Sequence, residues 1–405
     1  MSTINSGSFT ISLEDKQKNS KESEHYEEND KNNINDINNA EKINKKIIIN
    51  ENQENNCQPY YKLFIYSDSG TCIYKLKTKD IIDNDEIIDD ESENEGIDKE
   101  LGAIQGIIQA VYFTPLDIEC EVHMISTDVG LLSYKAFTFE KNILLLALIF
   151  PNYYSDETLS HRISKLLLEY IYYYLLMNIG KRTLFKFGNS SEIDRLRKII
   201  DNYSYGIHYI LNNHSSLTFL LKAEKKLQID KDVIYSLKHY IEKFKQAIKK
   251  DILCLTLDNN IVWASSDWLN IHIIDRILFL LISKIYSSGD LIEVPIYFTK
   301  TQLEDEGCGI SPYKLVVINL IKNIKLLIVS DNNLELENLD FNFFDDFFIS
   351  RLTQIQRITK FGNDILDTYL KGAVIHNKFL KTYKILGDED LKEVIRRMKE
   401  DGFEF

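Results

Sequence analysis

Tyr60–Leu76 reads YYKLFIYSDSGTCIYKL. Its first seven residues are aromatic and aliphatic and suit a half-buried extended strand, as do Cys72–Leu76. Between them Asp68-Ser69-Gly70 is turn chemistry, so the two runs form a hairpin. Leu101–Phe113 (LGAIQGIIQAVYF) then places Leu101, Ile104, Ile108, Val111 and Tyr112 at helical spacing, and Pro115 stops it. Three strands follow, Glu121–Thr127, Leu131–Phe139 and Asn142–Phe150, separated by Asp128-Val129-Gly130 and Glu140-Lys141. Ser155 or Asp156 can cap a long helix over Glu157–Ile179, which Gly180 ends.

The order strand, strand, helix, strand, strand, strand, helix occurs again. Asp251–Leu257, the turn Asp258-Asn259-Asn260 and Ile261–Ala264 read as a hairpin, and Asn270–Tyr286 as a helix. Glu293–Phe298, Tyr313–Asn319 and Ile324–Ser330 read as strands, and Leu339–Ile358 as a last helix. Between the copies, 181–250 carries helical patterns at Ser191–Asp201, Ile207–Leu211, Leu217–Leu221 and Lys231–Lys249 and reads as a helical connector. The repeat is one of pattern, not of residue identity. It predicts an α+β chain with two copies of one module, 60–180 and 251–358, each a five-stranded antiparallel sheet flanked by helices.

The 405 residues hold 48 basic and 62 acidic side chains, a formal net charge of −14. Residues 1–59 carry a net −4 and residues 80–100 a net −10, so the whole imbalance lies in two segments. The first, with 13 Asn and few large apolar residues, cannot bury enough surface to offset ordering entropy and is expected to be disordered. The second reads as an acidic loop inserted in the first module. The remaining chain is neutral, which does not indicate a nucleic-acid surface. Cys57, Cys72, Cys120, Cys254 and Cys308 are odd in number, scattered and without CxxC spacing, as expected of free thiols in a reducing compartment. The longest purely apolar run, Ile143–Phe150, is far short of the roughly 20 residues a membrane span needs. A cytoplasmic protein with only peripheral membrane contact is expected.

No phosphate-binding glycine loop, dinucleotide fingerprint, zinc-protease motif or nucleophile elbow occurs. His208 and His214 are close in sequence but have no third ligand at metal spacing, and Asp68-Ser69-Gly70 has no histidine placed to activate the serine. No catalytic residue, metal site or cofactor is expected. Two features read as interface candidates. Gly102, Ala103, Gly106 and Ala110 are small residues on the helix at Leu101–Phe113. Because glycine inside a helix costs about 1 kcal/mol relative to alanine, something comes close there, either the module's own sheet or a partner subunit. The run Glu169-Tyr170-Ile171-Tyr172-Tyr173-Tyr174 cannot point all its phenols one way, since successive helical residues turn by about 100°. It reads as an amphipathic helix with half-buried tyrosines.

Ser67-Asp68-Ser69-Gly70-Thr71-Cys72-Ile73-Tyr74 resembles the "S-x-x-G-K-P-(I/V)-Y" opening of the longin domain in the Mon (SAND) family of vacuolar and endosomal fusion proteins, with Thr71-Cys72 where that family has Lys-Pro. Leu101–Ala110 is similar to its "L-x-G-x-(M/I)-x-A-(I/L)" helix, Leu167–Tyr173 to its "L-L-Y-I-Y-Y-Q-I-L" helix, and Ile193-Asp194-Arg195-Leu196-Arg197 to its "N-Y-D-L-R-R-L-L" helix. The resemblance runs over 60–358. Residues 359–405 resemble only the beginning of that family's third longin domain, in Ile365–Ile385 and Glu389–Lys399. The Fuzzy planar-polarity family has a similar multi-longin pattern, and Trp263 and Trp268 are compatible with it.

The Mon resemblance implies a subunit that pairs with a second multi-longin, Ccz-like subunit. The pair would be a guanine-nucleotide exchange factor for a late-endosomal or vacuolar Rab GTPase, acting in vesicle fusion and recruited peripherally to those membranes. It implies a partner interface at Gly102, Ala103, Gly106, Gln109 and Ala110, and neither covalent catalysis nor nucleic acid. A Fuzzy-like effector and a non-exchanging longin scaffold are the alternatives.

Overall fold

The computed structural model describes residues 11–15, 61–77, 106–107, 120–127, 130–150, 157–214, 216–227, 229, 231–250, 252–286, 291–299, 312–321, 323–331, 348–355, 373–377 and 381–386. The acidic loop 80–100, most of 1–59, and Glu389–Lys399 lie outside them. The chain divides into two units, 1–172 with 183–212, and 173–182 with 213–405. The segment 181–250 is therefore not a separate connector. Helices α3 (Ser190–Asp201) and α4 (Ser204–Asn212) belong to the first unit, and α5 (Leu217–Leu220) and α6 (Lys231–Ile248) to the second.

In the first unit, β2 (Lys62–Tyr66), β3 (Cys72–Lys77), β4 (Cys120–Thr127), β5 (Gly130–Phe139) and β6 (Asn142–Phe150) form an antiparallel sheet in the order β4-β5-β6-β2-β3. A short strand β1 (Ile11–Asp15), inside the segment whose composition suggests disorder, pairs antiparallel with β4 and makes a sixth. In the second unit, β8 (Ile252–Leu257), β9 (Asn260–Ala264), β10 (Leu291–Tyr297), β11 (Pro312–Ile321) and β12 (Ile324–Ser330) give the order β10-β11-β12-β8-β9. Strand for strand, this is the order of β2–β6. The protein is thus a mixed α+β chain with two five-stranded antiparallel sheets flanked by helices.

Why each module needs helices on both faces is visible in its central strands. Seven consecutive residues of β6 are buried, as is all of β12. On one face of the first sheet Phe64, Tyr66, Leu132, Tyr134, Leu145, Ala147 and Ile149 form a core with Ile107 packed against it. The alternate residues Ser133, Lys135 and Phe137 meet α1 (Glu157–Ile179): Ser133 bonds Ser164, Lys135 pairs with Glu169, and the Phe137 ring stacks on Tyr172 at 3.7 Å. In the second sheet Leu253, Leu255, Val316, Ile318, Leu326 and Ile328 pack against Val233, Leu237, Ile241 and Phe244 of α6 and against Phe348, Leu352 and Ile355. From the opposite face Lys325 reaches the Ser283 carbonyl in the last turn of α8 (Ile273–Ile285), where a cation offsets the helix's negative end.

The helix expected at Asn270–Tyr286 is observed from Ile273 to Ile285, and a short helix that the sequence did not show precedes it. Ser265 accepts the Trp268 N–H and starts α7 (Ser266–Asn270); Ile271 is extended, and His272 restarts the chain by accepting the Ile274 N–H. In the β8–β9 turn Asp258 and Asn259 have φ of 49° and 61°, the left-handed pair of a two-residue type I′ turn. A third sheet went unread in the sequence. Strand β7 (Glu224–Lys225) pairs parallel with β14 (Thr382–Leu386), which forms a hairpin with β13 (Ala373–Asn377) within the segment resembling a third longin domain.

Gly180 ends α1 with φ +80°, its N–H bonded to the Leu176 carbonyl. A Cβ there would lie 2.9 Å from the Tyr297 ring. Gly180→Ala combines left-handed strain with that clash and is expected to destabilise the protein by at least about 1–2 kcal/mol. Thermal melting checks this. Gly188→Ala is the control, since its Cβ would meet only the flexible end of Glu192 at 3.4 Å, and it is expected to melt close to wild type.

Candidate functional site

Of the five residues expected at a partner interface, Gly106 is described; Gly102, Ala103, Gln109 and Ala110 lie outside the described residues. Gly106 and Ile107 are helical. Ile107 packs on the first core, while Gly106 is exposed and a Cβ on it would meet nothing within 4 Å. Among the described residues, therefore, nothing comes close to Gly106, and it is exposed.

The other motifs resolve into structure. Asp68 and Ser69 are the exposed tip of the β2–β3 hairpin, with Ser67 closing the turn through its backbone bonds to Gly70 and Thr71. The tyrosine helix is more deeply buried than an amphipathic reading allows: Tyr170, Tyr172 and Tyr174 are each at most 6% exposed, and Tyr173 is half-buried. The reason is that α1 covers a sheet face with residues as bulky as the Phe137 ring. His208 and His214 are both buried, and among the described residues no group of three or more His, Cys, Asp or Glu could hold a metal.

One cluster had no signature in the sequence. Glu224 of β7 is fully buried. Its carboxylate pairs with Arg276 of α8 at 2.8 Å and accepts the Trp268 indole N–H of α7 at 3.1 Å. Arg276 and Trp268 are themselves buried, and the thiol of Cys254 on β8 is close enough to feel both charges. Burial is the dominant influence on Glu224. It pushes the carboxyl from the ordinary 4.5 up to about 7, against the opposing pull of Arg276 and the Trp268 hydrogen bond. The same burial lowers Arg276 and raises Cys254 well above the usual thiol range. A buried, raised thiol is a poor nucleophile, so chemically the cluster is a positioning device for three elements. Nearby, Asp275 is also fully buried and accepts the Thr299 N–H at 3.0 Å, tying α8 to the end of β10.

No protein-family model matches the chain, and no curated protein matches it. Among the described residues no helix is long and apolar enough to cross a membrane.

The raised Glu224 has a definite linkage sign. A carboxyl that is harder to ionise in the folded state contributes stability below about pH 4.5, and that contribution is lost as pH rises through about 7. Arg276→Met removes the one cation that opposes the shift, so the loss is expected to extend above pH 7. Melting from pH 5 to 9 tests this. The variant is expected to be weaker than wild type by about 3–5 kcal/mol at pH 8, with the gap narrowing toward pH 5 where Glu224 is neutral.

Proposed function

We propose that the chain is a longin-type subunit of a heterodimeric guanine-nucleotide exchange factor, pairing with a second multi-longin, Ccz-like subunit and acting on a Rab GTPase of late endosomes or vacuoles. The observation that carries this reading is the duplication. Two sheets of identical strand order, with helical residues 106–107 after the first hairpin, α1 after β6, α8 after the second hairpin and helical residues 348–355 after β12, follow the element order of the Mon-family longin resemblance. Gly106 supports it too, because the first helix turns Ile107 to its own core and leaves an unobstructed outer side at the glycine.

Exchange requires no covalent step. A factor that binds the nucleotide-free GTPase better than the loaded one weakens nucleotide affinity by linkage alone. In this reading the first module recruits the partner subunit through its first helix, and the assembled pair is drawn to the membrane surface.

Two measurements check it. Affinity purification of the tagged full chain from its source cell is expected to recover a second multi-longin protein and a Rab, and the purified complex to release a fluorescent guanine nucleotide from that Rab faster than the Rab does alone. Release at the intrinsic rate would remove exchange and leave a scaffold, and recovery of ciliary polarity proteins would favour the Fuzzy-like alternative. Gly106→Arg is expected to melt as wild type does, since its side chain enters open space, yet to lose the partner subunit by at least about tenfold in pull-down. A variant that still binds would take this helix out of the interface.

A further inference from the structure

Three features outside the proposed interface invite a function. The exposed side of α6 carries Lys231, Lys238, Lys243 and Tyr235, the last 77% exposed, but Asp232 and Glu242 share that side and leave little net charge. Strand β1 pairs with β4 in a backbone register that sets position 14 opposite position 121, and nothing there says what else that edge would take. The third feature, the anchorage of the β13–β14 hairpin, goes further.

Among the described residues the hairpin's backbone joins the second unit through a very short ladder. Thr382 and Tyr383 pair with Glu224 and Lys225, and the Glu224 N–H donates to the Lys381 carbonyl at 2.8 Å. Strand β7 in turn touches the five-stranded sheet through a bridge between Lys226 and Ile261 and a hydrogen bond from the Leu227 N–H to the Ile261 carbonyl at 2.9 Å. So few backbone bonds hold weakly by themselves, because each adds only about 0.5–1.5 kcal/mol net. What fixes β7 is the side chain of its first residue, inserted fully buried between the Arg276 guanidinium and the Trp268 indole. One residue thus ends both chains of contact: its backbone holds the hairpin and its carboxylate holds the helices.

We infer that the β13–β14 hairpin is a detachable strap on the second unit, anchored through Glu224, and that Arg276 keeps the strap closed by neutralising that carboxylate. Opening it moves β7 away from α7 and α8, returns Glu224 to water and uncovers the backbone of Glu224 and Lys225 as a strand edge able to accept another extended segment. The described groups facing the Glu224 carboxylate are Arg276 of α8, the uncharged Trp268 indole of α7 and the Cys254 thiol of β8, while the Glu224 backbone N–H donates to the Lys381 carbonyl. Only Arg276 among them stabilises the ionised carboxylate by its charge. Because burial already raises the Glu224 carboxyl, the strap opens more readily as pH rises through about 7. This device needs no exchange activity and stands whatever the first module binds.

Amide hydrogen exchange of the full chain, read by mass spectrometry at pH 6 and pH 8 with each variant compared with wild type at the same pH, tests the strap. Arg276→Met is expected to speed exchange of 224–227 and 382–386 at pH 8 by at least about tenfold more than it speeds β8, β11 and β12, and by a clearly smaller margin at pH 6. Equal acceleration through β8, β11 and β12 would overturn the inference, because the pair would then support the whole unit and not the strap. Unchanged exchange at 382–386 would overturn it as well. If Arg276→Met does not fold, Trp268→Phe removes one hydrogen bond and keeps most of the ring volume. The same two segments are then expected to accelerate by a few-fold, more at pH 8 than at pH 6 because that hydrogen bond also favours the ionised carboxylate, and failure of that selectivity overturns the inference.

Discussion

Strands β6 and β12 are buried on both faces, and most of the architecture answers to that constraint. A strand with one wet face can alternate polar and apolar residues. One sealed on both sides needs an apolar run, and a helix layer to close each side. The first unit meets this with α1 on one face and the helical turn at Ile107 on the other. The second meets it with α8 on one face, and α6 with the helix around Phe348 on the other. Sealing has an electrostatic cost as well, because polar groups caught between layers must find partners there. Lys325 is spent on the end of α8, Lys135 on Glu169, and Asp275 on the Thr299 N–H.

Features that depend on local pattern were legible in the sequence. The run Ile143–Phe150 is the sealed strand β6, the two hairpins have their turns at Asp68-Ser69 and Asp258-Asn259, and Gly180 stops α1. The duplicated element order was legible because it needs only the succession of periodicities. What escaped depends on partners distant in sequence. Strand β7 is two charged residues, Glu224-Lys225, with no alternation to betray it, and it becomes a strand only because β14 lies beside it. Glu224 looks like a solvated side chain until Arg276 and Trp268 surround it. The short helix α7 was missed for a subtler reason. Ser265 caps it just ahead of the α8 cap at His272, and so short a helix shows no apolar periodicity of its own.

The interface candidates divide along the same line. Glycine content on the first helix marked a place where a Cβ is absent, but not which neighbour benefits. At Gly106, among the described residues, no neighbour comes within 4 Å of where a Cβ would lie. The tyrosine run went the other way: its phenols, suggestive of a surface, are mostly interior, and Tyr172 is held by a stacked phenylalanine.

Because Glu224 pairs with Thr382, its strand partner is synthesised far later than its ion-pair partner Arg276. At translation rates of about 5–20 residues per second, the growing chain carries β7 for roughly ten to thirty seconds before β14 exists. Arg276 and Trp268 emerge early in that interval and can seat the carboxylate, leaving the outer backbone of β7 unsatisfied until the C-terminal hairpin leaves the ribosome. The order of manufacture therefore gives the nascent protein an open-edged form, which closes only once β14 has been made.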